Sequence, residues 1–268
     1  MATQFGAKKS GNGLYAIGAG LAVLAGAAII GFFLYQNFNR APDLDKTSLC
    51  PSKIDSVTAI LIDATDEITA VQKVDIANRL DAIKERLPKG GRIDLYALGE
   101  DKNGLIRQLF SMCNPGTGQN ASALTENARL MQRRWTRDFS AKLDDELKKV
   151  MNVKDQPQSP IMEAVKAVAV QSFGGTATSN AEEKILVIAS DMIQFTGSYN
   201  QYKGIGDFEA FTKGQYYQQV RTELRGVEVE LIYIRRQTAK NIQNPEHVRF
   251  WERFFRASGG KLSHVAPI

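Results

Sequence analysis

The run Val57-Thr58-Ala59-Ile60-Leu61-Ile62-Asp63-Ala64-Thr65-Asp66-Glu67 is apolar and β-branched, and it stops abruptly at acidic and hydroxyl side chains. An apolar run without polar alternation reads as a strand buried on both faces of a parallel sheet. The period then changes. Val74, Ala77, Leu80, Ile83 and Leu87 recur every three or four residues, which predicts an amphipathic helix of about five turns. Thr69 with Gln72 three positions on reads as a capping box for that helix. Asp63, Thr65, Asp66 and Glu67 are therefore expected at the carboxyl end of a central strand, where open α/β sheets bind ligands.

Two further runs fit the same sheet. Lys184 to Asp191 is a second fully buried strand ending in an acid, and Val227 to Ile234 a third. Arg92 to Gly99 and Leu105 to Cys113, joined by a short turn, predict an antiparallel pair at one edge, and Lys261 to Val265 a short strand at the other. Helices are expected between them. Met131, Trp135, Phe139, Leu143, Leu147 and Val150 form one stripe, with Arg129, Arg133, Arg134 and Arg137 interleaved; this is the pattern of a helix packed on the sheet. Ser159-Pro160 opens another helix, with Ser159 as N-cap and Pro160 at the first position. A last helix carries Val248, Trp251 and Phe255 and stops at Gly259-Gly260. The expected domain, residues 54–268, is α/β: a doubly wound, mostly parallel six-stranded sheet with one antiparallel edge strand.

The amino-terminal part differs in kind. Residues 1–13 form a polar tail, 14–35 an uncharged apolar stretch of 22 residues, and 36–53 a polar tether with Pro42 and Pro51. The stretch is long enough for a hydrocarbon core of about 30 Å and exceeds the apolar segment of a cleaved signal peptide, the competing reading. Gly18, Ala22 and Gly26 lie on one face of it, the small-xxx-small pattern through which membrane helices pack and through which a homo-oligomer would form. Lys8 and Lys9 on one side and Arg40 and Lys46 on the other leave orientation undecided. Cys50 and Cys113 bear on it. Either they are two buried thiols, or they form a disulfide closing a loop of about 60 residues, worth about 4 kcal/mol. The disulfide reading places the domain in the periplasm of a bacterium, anchored to its inner membrane. A net charge of +5 without clustered Lys and Arg, zinc spacing or an RNA-binding motif argues against a nucleic-acid partner.

Asp63, Thr65, Glu67, Ser159 and Asp191 are expected to converge if the two acid-terminated strands are neighbours. Carboxylate and hydroxyl oxygens from three loops are the ligands of a hard divalent cation. The arrangement resembles the metal-ion-dependent adhesion site of von Willebrand factor A (integrin I-like) domains, over about Ser56 to Val265. Asp63 matches the first Asp of the family's Asp-x-Ser-x-Ser, Thr65 its first Ser, Ser159 the Thr of the second loop, and Asp191 the Asp after the fourth strand. Glu67 stands at the second Ser and Met192 at the usual glycine. The resemblance implies a protein-binding or assembly module holding Mg2+, Mn2+ or Ca2+. Without metal, these acids and hydroxyls are strand and helix caps. Phe195, Tyr199 and Tyr202, in the long segment after Asp191, are expected to contact the partner. A purely structural envelope subunit is the alternative. No enzyme is expected: the chain has only His247 and His264, with no serine or cysteine nucleophile motif near them, and no phosphate-binding loop. A metal-dependent hydrolase acting through Asp63 is the remaining catalytic reading.

Overall fold

The computed structural model describes residues 24–35, 44–101, 104–119, 127–152 and 156–268. The chain divides into two units at Asp43 and Leu44. In the first, residues 24–35 are helical, with Leu24, Ile29, Ile30, Phe32, Phe33, Leu34 and Tyr35 exposed. Among the described residues no helix is long and apolar enough to cross a membrane. Residues 14–23 of the expected span, including Gly18 and Ala22, lie outside the described residues, as do 36–43 of the tether; Gly26 falls within the helix.

The second unit is built on six strands: β1 (Ser56–Asp63), β2 (Arg92–Asp101), β3 (Gly104–Cys113), β4 (Glu183–Ser190), β5 (Val227–Tyr233) and β6 (Lys261–Pro267). Their order across the sheet is β3-β2-β1-β4-β5-β6. Strand β1 runs parallel to both neighbours, with Ile62 opposite Ala97 on β2 and Ala189 on β4. Only β3 is antiparallel. All eight residues of β1 are buried because cores lie on both faces: Val57, Ala59 and Leu61 enter one, Ile60 and Ile62 the other. This is why the sequence shows no polar alternation there.

Helix α1 (Ala70–Arg86) has the expected capping box between Thr69 and Gln72. Its buried stripe is shifted from expectation. Gln72, Ile76, Leu80 and Ile83 face inward, whereas Val74 is 58% exposed. Helix α2 spans Ala128–Arg134, a widened turn at Trp135–Ser140, and Ala141–Val150. A spacing of four drifts by about 40° per step on a regular α-helix; the widened turn takes up that drift and leaves Phe139, Leu143, Leu147 and Val150 buried. Helix α3 (Ile161–Val168) continues through a second widened turn, Ala169–Phe173. Short helices α4 (Phe208–Lys213) and α5 (Gln215–Val220) follow β4, and α6 (Pro245–Ala257) follows β5.

Cys50 and Cys113 form a disulfide across 63 residues. Cys113 pairs in register with Arg92, the first residue of β2, so the bridge fastens the antiparallel edge at the amino-terminal end of the parallel strands. Strand β2 carries a feature that its apparent alternation hid. Asp94 is fully buried and accepts hydrogen bonds from Arg92, Ser111 and Ser172, so its charge is paired inside the sheet rather than turned to solvent.

Candidate functional site

The chain leaves β1 toward β2 on one side and returns as β4 on the other. The carboxyl ends of β1 and β4 therefore flank the switch point of the sheet, where the two connections diverge and open a crevice. Asp63, Thr65, Ser159 and Asp191 lie there, all buried. Asp63 is 4% exposed. Its Oδ1 accepts the Thr65 amide at 3.1 Å and the Thr65 hydroxyl at 2.6 Å; its Oδ2 accepts the hydroxyls of Ser159 at 3.2 Å and Ser190 at 2.7 Å. Ser159 thus serves the acid rather than the helix expected to follow it. Pro160 is the N-cap of α3, with no side-chain capping bond, and Gln194 Oε1 instead accepts the Met162 amide at 2.8 Å.

Asp191, 2% exposed, directs Oδ1 to the Ile193 amide at 2.9 Å and Oδ2 to Arg236 Nε at 3.1 Å. The other end of that guanidinium donates to the Glu67 carbonyl. Glu67 reaches the cluster through its main chain only, because its side chain is exposed. Burial, and then the neighbouring Asp63 carboxylate, push Asp191 up to about 7, against the pull of the Ile193 amide and Arg236. Two carboxylates share a buried site here, and the guanidinium of Arg236 reaches both loops. Among the described residues no group of three or more His, Cys, Asp or Glu is arranged to hold a metal ion.

Met192 sits at the glycine position with φ 62°, a left-handed conformation that is costly for a bulky side chain. The peptide is held there from several directions. Its amide donates to Ser190 Oγ at 2.8 Å, and its carbonyl accepts Trp251 Nε1 at 2.8 Å and lies 3.1 Å from His247 Nε2. That network assigns the proton of neutral His247 to Nε2, with the Tyr233 hydroxyl donating to Nδ1 at 2.7 Å. Burial pushes the His247 pKa down to about 4. Since this lies below the unfolded value, the stabilisation holds above about pH 6.5 and drains away as pH falls toward 4. Urea unfolding at pH 7 and 4.5 is expected to show a loss of about 2 kcal/mol from this group, absent in His247→Gln.

The three predicted partner residues separate. Phe195 pairs through its main chain with Ser159, in both directions, tying the segment after β4 to the start of α3. Its ring meets Tyr202 edge-on at 5.8 Å, and Tyr202 is 51% exposed. Partial burial, followed by the fields of Asp191 and Asp66, raises the Tyr202 hydroxyl to about 12. Tyr199 instead turns inward, stacked on Tyr216 at 5.4 Å and donating to the Ile205 carbonyl at 2.7 Å. Arg236, Ser190 and Gln194 are the site residues that the sequence reading missed.

Fold and site together define an open, doubly wound α/β domain with a buried polar cluster at its switch point. No protein-family model matches the chain, and no curated protein matches it in sequence. The structure is similar to that of a conserved hypothetical protein, BatB, from Bacteroides thetaiotaomicron, with a TM-score of 0.42 and 10% identity over 80% of this chain and 90% of that one. Identity and score are too low for this likeness to bear on function.

Proposed function

We propose that this chain is a membrane-anchored binding or assembly module, in which a von Willebrand factor A-like domain facing the periplasm engages a protein partner with its strand-end face. The observation that carries this reading is the convergence at the switch point of Asp63, Ser159 and Ser190, hydrogen-bonded into one cluster, with Asp191 following Ser190 in sequence and the Tyr202 ring exposed. An exposed aromatic near a hydrogen-bonded polar cluster suits a protein interface. The disulfide supports an oxidising compartment. The uncharged stretch from Leu14 to Tyr35 supports the anchor.

A photoreactive residue placed at position 202 of the full chain, in its native cells, is expected to give a discrete covalent adduct with a partner. The same residue at position 225, just ahead of β5 and so at the opposite end of the strands, should give none. Equal labelling from both positions, or none from position 202, would remove the strand-end face from consideration.

A further inference from the structure

The family resemblance implies a divalent cation bound by Asp63, Thr65, Glu67, Ser159 and Asp191, but the residues present do not fit one. Both oxygens of Asp63 are already acceptors for hydroxyls and an amide. Both oxygens of Asp191 are likewise engaged, one by a main-chain amide and one by Arg236. The Glu67 carboxylate, standing where the family supplies a hydroxyl ligand, is at the surface, and the Glu67 carbonyl is bound by the same guanidinium. A second cation beside Asp191 would face Arg236 at close range.

We propose that Arg236 is a built-in replacement for the divalent cation of this site. Its Nε and Nη1 bridge the loop after β4 to the loop after β1, which is the cross-link a metal would make there. A guanidinium is always charged and presents donors in a fixed fork, so it can satisfy a carboxylate and a carbonyl together. Three further contacts hold that residue in position. The Arg236 amide donates to Gln243 Oε1 at 2.7 Å, and Gln243 Nε2 donates to the carbonyls of Asp191 at 3.0 Å and Ile234 at 2.8 Å. Gln243 is 1% exposed, so the loop after β5 is fastened to the loop after β4 independently of the guanidinium. Whatever engages the strand-end face therefore meets an Asp191 already paired with an internal cation and needs no metal. The inference rests on the binding reading only for the identity of that face; the presence of the internal cation does not.

The test uses the full chain with Mn2+ as the probe, read by the electron paramagnetic resonance of the free ion, beside thermal unfolding in chelator and in millimolar Mg2+ or Ca2+. The wild-type chain is expected to leave the Mn2+ signal unattenuated and to unfold at the same midpoint in chelator and in either cation. Arg236→Ala, in which Asp191 loses its cation partner, is expected to take up Mn2+ and to gain thermal midpoint from Mg2+. Mn2+ binding by the wild type that disappears in Asp63→Asn would overturn the proposal, as would a folded Arg236→Ala indifferent to every cation. The wild-type measurement decides alone if that variant does not fold. Neither readout involves a partner, so the partner-binding reading can fail while this inference stands.

Discussion

Replacing Arg236 by methionine is expected to lower the stability of the domain by about 2 kcal/mol at pH 8, where Asp191 is ionised, and by less at pH 5, where that buried acid takes up a proton instead. The methionine fills much of the same volume and strips only the charge and the donors. What remains is a buried Asp191 carboxylate beside Asp63 and a Glu67 carbonyl without its guanidinium partner. For a unit of this size the thermal midpoint at pH 8 should fall by roughly 6 °C. The sign of the pH dependence follows from Asp191. Its folded pKa lies above the unfolded value, so its protonated form favours folding at low pH and this advantage is lost as pH rises through about 7. Without Arg236 that window moves upward, and the variant should be more damaged at pH 8 than at pH 5. Arg225, whose pair with Glu223 is exposed on both sides, provides the contrast. Arg225→Met should change stability by less than about 1 kcal/mol. Chemical denaturation of both variants at the two pH values reads all of these outcomes.

The second large effect is expected at the other end of the sheet. Changing Cys50 and Cys113 together to serine should cost about 4 kcal/mol, because the bridge closes a loop of 63 residues that the unfolded chain would otherwise leave free. Both cysteines are buried, so the serines add a modest penalty for hydroxyls placed in an apolar setting. Treatment of the wild-type protein with reductant during unfolding should reproduce most of the loss. The edge it fastens is the antiparallel β2–β3 pair, joined to the segment before β1 by the Cys113 amide donating to the Ser48 carbonyl at 2.8 Å. Hydrogen exchange in β3 should therefore rise before exchange in β1 or β4. Uniform acceleration across the sheet would mean that the bridge acts only through the unfolded state.

The fold was legible where burial is two-sided. Strands β1 and β4 each read as an unbroken apolar run ending in an acid, and their pairing brings Ile62 level with Ala189, so Asp63 and Ser190 come into hydrogen-bond reach. The edge pair and the disulfide were readable for a similar reason, since a short link and two cysteines leave few arrangements. Single-face burial was harder. On α1 the sequence offers Val74 and Ile76 as rival apolar positions, and only the packing against the sheet turns Ile76 inward. On β2 Arg92 pairs with the fully buried Asp94, and nothing local in the sequence marks that pair.

The site was half legible for a physical reason. Asp63, Thr65 and Asp191 are local to the ends of their strands, so sequence adjacency places them. Arg236 lies 45 residues beyond Asp191, in a stretch of Arg and Gln that resembles any solvated turn, and nothing local marks it as a partner for a buried carboxylate. Ser159 before a proline has the signature of a helix cap, and the competing demand of Asp63 is a tertiary contact. Nor does any sequence signal announce that Met192 will be held at a positive φ; Trp251 and His247, more than 50 residues on, hold its carbonyl there.

The central claim, that the strand-end site is held together by an internal cation, is tested most directly by a double-mutant cycle between Arg236→Met and Asp191→Asn, read by equilibrium unfolding. Asparagine keeps an acceptor for the Ile193 amide and removes the charge that Arg236 neutralises. At pH 8, Arg236→Met is expected to cost less in the Asp191→Asn background than in the wild type, with a coupling of about 1 kcal/mol or more. Costs that add to within about 0.5 kcal/mol would mean that the two residues act independently, and the guanidinium would then be a bystander to the acid cluster.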